Sequence, residues 1–461
     1  MNKIISYLLL LGLILGLFEI SWTKSLKVSS NKRFLEYDDG TPFFYLGDTA
    51  WELFHRLNRE EAEEYLSNRA QKGFTVIQAV VLAERGGIHQ PNAYGDLPLV
   101  NKEPANPNEP YFKHVDYIVK LAEKYGLFIG MLPTWGSYWS MNNPQRVLFT
   151  VENARIFGKF LGKRYKNNSV IWILGGDHNI HTEKERQIIE AMAKGLEEGD
   201  EGKHLITFHP RGPGLSSDYL HSAEWLDFNM YQSSHGARDH DNGLFAEHDY
   251  ALMPPKPTLD GEPRYEMVPV GFYFAGNNPQ DRFDAYDCRQ AAYWSLLAGA
   301  CGHTYGHNSI WQMWAPNREG VISVAIPWYV ALDHPGAFQM GLVRKLFESR
   351  PFQKLLPCQA MIKAGPTCGG GKIRAAVASD SSFALIYSPR GEPFTVDKSM
   401  IQGKRTNEIW FDPRYGVATN IHSPDTKGLQ TYTPPTNGRG NDWILILENA
   451  EMNFSLPRSW K

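Results

Sequence analysis

Between residues 42 and 349 the chain repeats one unit, a short apolar run stopped by polar residues and followed by a segment with helical spacing. The runs cover 42–46, 76–81, 127–131, 170–174, 205–208, 227–230, 257–260 and 302–305. Asn58 and Glu61 form a capping box ahead of a helix whose apolar face is Ala62, Tyr65, Leu66 and Ala70. Pro110 opens a second helix with Phe112, Val115, Ile118, Val119 and Ala122 on one side, closed by Gly126. Eight strands alternating with helices predict an α/β fold, a (β/α)8 TIM barrel. A doubly wound sheet would want a Gly-rich phosphate loop, and neither GxGxxG nor GxxxxGK[ST] follows an early strand. Loop 84–110, rich in Gly, Pro and Asn, is long enough to predict a functional role.

A helix over 336–348 closes the barrel, and 350–357 reads as a linker. Short β-rich runs at 373–377, 383–387, 408–411 and 443–447 then predict an all-β sandwich of about 100 residues. The expected organisation is a leader over 1–24, a catalytic barrel over 25–350 and a sandwich over 351–461. The leader has Lys3 and an apolar run over 4–18, the shape of a secretory signal and short for a membrane span. Its lack of a nearby cysteine argues against lipoprotein processing, so the expected location is secreted or periplasmic; with no small-x-small cleavage site, an uncleaved anchor stays open. Four scattered cysteines exclude a disulfide framework and CxxC zinc spacing, although Cys358 and Cys368 could pair across a loop. The formal charge of -3 leaves no footprint for nucleic acid or an anionic membrane, and predicts an uncharged or weakly charged partner. Thirteen Trp and 22 Tyr would serve either sugar stacking or a large core.

Chemistry on a barrel sits at the carboxyl ends of its strands. Carboxylates stand there in three places: Asp48 after the first strand, Asp177 after the fourth, and Asp260, Glu262 and Glu266 after the seventh. Strands four and seven face each other across the mouth, the layout of a retaining glycosidase with carboxyl groups ~5–5.5 Å apart. Asp177 follows Gly175-Gly176 and precedes His178-Asn179; it could instead cap the helix near Thr182 or pair with an arginine. Glu262 could pair with Arg264 or Arg211. Asp48, Gln78, His178, His209, Tyr231, Gln232, His235, His303 and His307 stand at strand ends, where they could bind sugar hydroxyls or serve the fold. Trp51, Trp135 and Trp311 could stack on a sugar ring. The first strand lacks a His-x-His and His303/His307 lack an HExxH glutamate, so neither a metal nor another cofactor is expected.

Three motifs in order, Leu46-Gly47-Asp48-Thr49-Ala50-Trp51, Trp172-Ile173-Leu174-Gly175-Gly176-Asp177 and Asp260-Gly261-Glu262-Pro263-Arg264-Tyr265-Glu266, resemble the apiosidase-like glycoside hydrolases, family 140 and its relatives. Trp410-Phe411-Asp412-Pro413-Arg414 and Asn441-Asp442-Trp443-Ile444-Leu445 resemble the sandwich domain, labelled collagen-binding, that follows that barrel. The resemblance implies a retaining mechanism with Asp177 as acid/base and Glu262 as nucleophile, Glu266 being the alternative. It also implies a carbohydrate substrate, with apiose-containing pectin side chains as the expected one and Tyr265 and Glu266 among the binding residues. Where the wider barrel clan generally places Asn-Glu at the fourth strand, this chain carries Gly176-Asp177, as the apiosidase-like group does. The two carboxyls should differ in ionisation, the acid raised and the nucleophile charged. The competing readings are a non-catalytic carbohydrate-binding barrel of a glycan-uptake system, and adhesion to matrix protein through the sandwich. The sequence leaves the oligomeric state open.

Overall fold

The computed structural model describes residues 25–421 and 427–457. The leader segment lies outside them, and with it the expectation of export. All eight predicted runs form strands: β1 (Tyr45–Thr49), β2 (Val76–Leu82), β3 (Phe128–Thr134), β4 (Val170–Gly175), β5 (Ile206–His209), β6 (Asn229–Gln232), β7 (Thr258–Asp260) and β8 (Gly302–Tyr305). Neighbours pair in parallel from β1 to β5 and from β6 to β8, and β8 returns to β1 with Gly302 opposite Tyr45. The seam between β5 and β6 has no ladder. It is held by Asp227 N–H donating to Ile206 O (2.9 Å) and Thr207 Oγ1 donating to Phe228 O (2.6 Å). The first run divides at Phe44: Pro42–Phe43 pairs with Leu35–Tyr37 in a small sheet under the barrel, and only Tyr45–Thr49 enters the barrel.

The crossovers are α1 (Arg59–Gln71), α2 (Glu109–Lys124), α3 (Val151–Tyr165), α4 (Glu183–Asp200), the single turn α5 (Ser217–Leu220), α6 (Gly243–Ala251), α7 (Ala285–Leu297) and α8 (Pro335–Glu348). Asn58 accepts from Glu61 N–H and Glu61 from Asn58 N–H, which closes the predicted capping box. Helices α3 and α4 approach through Gly158 and Gly162 on one and Gly195 and Gly199 on the other. A Cβ at Gly195 would lie 2.2 Å from Arg155 O, and one at Gly162 would lie 2.4 Å from Leu196 O, so backbone packs on backbone.

A six-stranded antiparallel sheet follows, ordered Leu355–Pro357, Arg374–Ala378, Phe383–Ser388, Trp443–Asn449, Thr406–Asp412 and Val417–Asn420. It faces a three-stranded sheet of Ile362–Ala364, Phe394–Asp397 and Leu429–Tyr432. Strand alternation decides both faces of the larger sheet. Leu385, Tyr387 and Ile446 join the barrel's apolar core, whereas Ile386, Leu445 and Leu447 fill the space between the sheets. Helix α7 lies between barrel and sandwich, with Tyr293 stacked on Tyr387 at 4.9 Å. Cys358 and Cys368 are free thiols, so the bridge weighed for them is not formed; Cys288 and Cys301 are free as well. Among the described residues no helix is long and apolar enough to cross a membrane.

Candidate active site

Strand β4 ends in three successive residues with left-handed backbone, Gly175 (φ 93°), Gly176 (φ 89°) and Asp177 (φ 59°). A side chain at Gly175 would lie 2.3 Å from His209 O, and one at Gly176 2.9 Å from Gly136 N, so only glycine lets the turn form here. Asp177 is a residue type that tolerates this region. The turn is fastened by Gly136 N–H donating to Gly176 O (2.9 Å) and Trp139 Nε1 donating to Gly175 O (2.7 Å). Asp177 does not cap α4, whose N-cap is Thr182 in a capping box with Glu185.

Glu262 follows β7 and sits between two histidines, with His209 Nε2 3.2 Å from Oε2 and His235 Nε2 3.1 Å from Oε1. Asp177 N–H donates to His209 Nδ1 at 3.3 Å, which leaves the ring proton on Nε2, the nitrogen that lies beside Glu262. Burial alone would raise the Glu262 carboxyl, but its two imidazole neighbours, His209 and His235, outweigh it and hold it down at about 2. The reverse holds for Asp177: desolvation, reinforced by the negative charges of Glu262 and Glu84, pushes its carboxyl well above the carboxylate range. Arg211 and a hydrogen bond from Gln232 oppose this rise.

Both carboxyls line one cavity of about 350 Å3 at the barrel mouth, with Trp51, Trp135 and Trp311, Gln232, His235 and Tyr265 among its walls. Trp51 and Trp135 meet at 5.6 Å with a 57° tilt, a corner of two apolar faces. The Tyr265 hydroxyl bonds Thr49 Oγ1 at 2.9 Å, which fixes its ring in the wall. Glu84, Arg85, Arg211, Gly212, Ser234, Val268, Phe272, Tyr273, Val321 and Ile322 complete the lining and were not singled out from the sequence as binding residues. Only Glu84 carried a signal, as the first residue of the long loop after β2. Desolvation and the charge of Glu52 raise its carboxyl to about 7.

The model described as "Apiosidase-like, catalytic domain" matches residues 29–354. This chain belongs to the apiosidase-like family. The model described as "Putative collagen-binding domain of a collagenase" matches residues 356–448. A solved structure named "Glycoside hydrolase" is 34% identical over 94% of this chain and 98% of its own, with a TM-score of 0.85. A glycoside hydrolase family 5 structure from Bacteroides vulgatus ATCC 8482 is 32% identical over 95% and 96%, also with a TM-score of 0.85. None of the curated proteins is a match to this sequence. The fold and these relatives make the chain a glycoside hydrolase.

Several strand-end residues of this apiosidase-like barrel stand outside the cavity, and each has a local reason. Asp48 is fully buried behind β1, paired with Arg69 at 2.5 Å and accepting from Tyr65 Oη at 2.7 Å. Gln78 donates to Gly261 O at 3.0 Å and so acts on the backbone that carries Glu262 rather than on a ligand. Glu266 accepts from Tyr305 Oη (2.6 Å) and Gly336 N–H (3.1 Å) at the start of α8, and burial raises its carboxyl to about 7. His307 bonds His334 at 3.2 Å, and Tyr231 stacks on Phe245 at 5.5 Å. His303 is buried in the barrel, and that burial lowers it to about 3. His178 packs beside Trp139, its Nδ1 3.3 Å from Gly176 O. His209 is reached through Glu262 rather than exposed in the wall. Among the described residues no group of three or more His, Cys, Asp or Glu side chains is placed to hold a metal ion.

Proposed function

We propose that this apiosidase-like hydrolase works by double displacement, with Glu262 as nucleophile and Asp177 as acid/base. The observation that carries the reading is the opposed shift of two carboxyls lining one cavity, Glu262 pushed toward its charged form and Asp177 toward its protonated form. In the first step Glu262 attacks the anomeric carbon while Asp177 gives its proton to the leaving oxygen. Ester formation neutralises Glu262, so one of the charges that raises Asp177 is lost and its carboxyl becomes the base required next. Asp177 then takes a proton from water, whose oxygen attacks the anomeric carbon and frees Glu262. The aromatic corner of Trp51 and Trp135 suits the C–H face of a sugar. The apiosidase-like description, with the resemblance read in the sequence, makes apiose-containing pectin side chains the first substrates to test. The apolar leader, with Lys3 ahead of it, supports action outside the cytoplasm.

The test is incubation with pectic and hemicellulosic oligosaccharides while NMR follows the anomeric configuration of the released sugar. Retention is the expected result. Inversion would overturn the nucleophile assignment, and binding with no sugar released would favour a non-catalytic barrel.

The pH profile supplies a second test. kcat/KM should fall on the alkaline side as Asp177 loses its proton, and Glu84 helps to keep that proton on. Glu84→Gln therefore moves the alkaline limb to lower pH and leaves the acidic limb, set by Glu262, in place. An unmoved alkaline limb would remove Glu84 from the electrostatics of the acid.

A further inference from the structure

The sandwich touches the barrel at the loop that carries His235. After β6 this loop runs from Ser233 to Asp241, ahead of α6. Its first half is tied to the Glu262 segment, Ser234 N–H donating to Glu262 O (3.1 Å) and Ser233 Oγ to Asp260 (2.7 Å). Its second half is gripped by the sandwich. Lys372 Nζ and Arg374 Nη2 each reach Asp241 at 2.7 Å, and Arg390 Nη2 reaches Asp239 at 2.7 Å. Arg374 lies against the first residue of α6, because a Cβ at Gly243 would stand 2.5 Å from its guanidinium carbon. Arg264, two residues beyond Glu262, donates to His240 O at 2.6 Å and crosses from one half to the other.

The two histidines on Glu262 are held differently. The far nitrogen of His209 is fixed by Asp177 N–H. His235 Nδ1 is buried with no hydrogen-bond partner, and its ring otherwise meets Tyr265 (4.6 Å) and Phe272 (6.0 Å). Aromatic faces set no hydrogen-bond direction, so the position of His235 depends on its backbone. That backbone is anchored by Gly271 N–H donating to His235 O (2.8 Å), by Arg238 pairing with Asp281 (2.5 Å) and Asp287 of the barrel, and by the grip on Asp239 and Asp241, where Gln290 of α7 joins Arg390 on Asp239.

We propose that the β-sandwich is a positioning element of the active site, in which Lys372, Arg374 and Arg390 fix the 235–241 loop and through it the His235–Glu262 hydrogen bond. The kinetic arm of the test rests on Glu262 being the reacting carboxylate; the spectroscopic arm does not. The full chain, 15N-labelled at histidine, is compared with Asp241→Asn and Arg390→Met. The control is Arg350→Met, which breaks a different barrel–sandwich contact, Arg350 with Glu448 at 2.7 Å, away from this loop. The first two variants are expected to shift the His235 ring resonances and to lower kcat on the order of 10–100-fold with KM little changed, as a displaced catalytic group does. Arg350→Met leaves both readouts at the wild-type values. If Asp241→Asn fails to fold, Arg390→Met, at a partly exposed pair, carries the test. Unchanged His235 resonances in the loop variants overturn the proposal. Shifted resonances in a protein that releases no sugar support the positioning role and count against the glycosidase reading alone.

Discussion

Glu262→Gln lowers kcat by on the order of 10^4-fold or more, with the fold intact. The neutral amide cannot attack the anomeric carbon, and its NH2 takes the place of one carboxylate oxygen, so one of the two histidine nitrogens faces a donor instead of an acceptor. Glu266→Gln is the matched control four residues on. Its carboxyl is already shifted toward the protonated form, about 7, and an amide oxygen can accept from Tyr305 Oη and Gly336 N–H in the same way. Steady-state rates and thermal unfolding of the two variants separate the roles. A Glu262→Gln enzyme within tenfold of wild type, or a Glu266→Gln enzyme as damaged as Glu262→Gln, would exchange or cancel the assignment.

The second large effect belongs to Asp177, the proposed acid. Asp177→Asn costs about 10^2–10^4-fold on substrates whose leaving oxygen needs a proton. Asparagine is the right replacement because it accepts the left-handed backbone at this position, where φ is 59°; alanine would add strain to the loss of the carboxyl. With an aryl glycoside whose leaving group departs unaided, the first step is spared and the second, lacking its base, is slow. Pre-steady-state measurement should then show a burst of aryl alcohol followed by slow turnover. Equal losses on both substrate types, with no burst, would place Asp177 outside acid/base chemistry.

The barrel strands were legible because each is a compact apolar run followed by helical spacing, and these signals are local. The three-stranded sheet was not: Ile362–Ala364, Phe394–Asp397 and Leu429–Tyr432 are short, and the first and last are largely exposed, so they carry little apolar pattern. At the site, the sequence located strand ends but not the side of the barrel wall that each side chain takes. Asp48 and Asp177 both end barrel strands; Arg69, on α1, claims the first, and a left-handed turn turns the second into the mouth. Arg211, Phe272, Tyr273 and Ile322 come from loops whose course is set by tertiary packing, so no period announces them. The pairing of Glu262 with His209 and His235 joins three different strand ends, and only the closed barrel makes it.

The contact between α3 and α4 bears on how exact Asp177 can be. Most helix pairs meet through a layer of side chains that can change rotamer and absorb a shift. Here, where glycine meets main chain on both sides, no such cushion exists. The two helices on either side of β4 in the chain therefore meet main chain to main chain, with no side-chain layer between them to take up a shift. An added methyl at Gly195 would meet Arg155 O at 2.2 Å and could enter only if the two helices moved apart, and such a shift is expected to reach the carboxyl end of β4, where Asp177 stands.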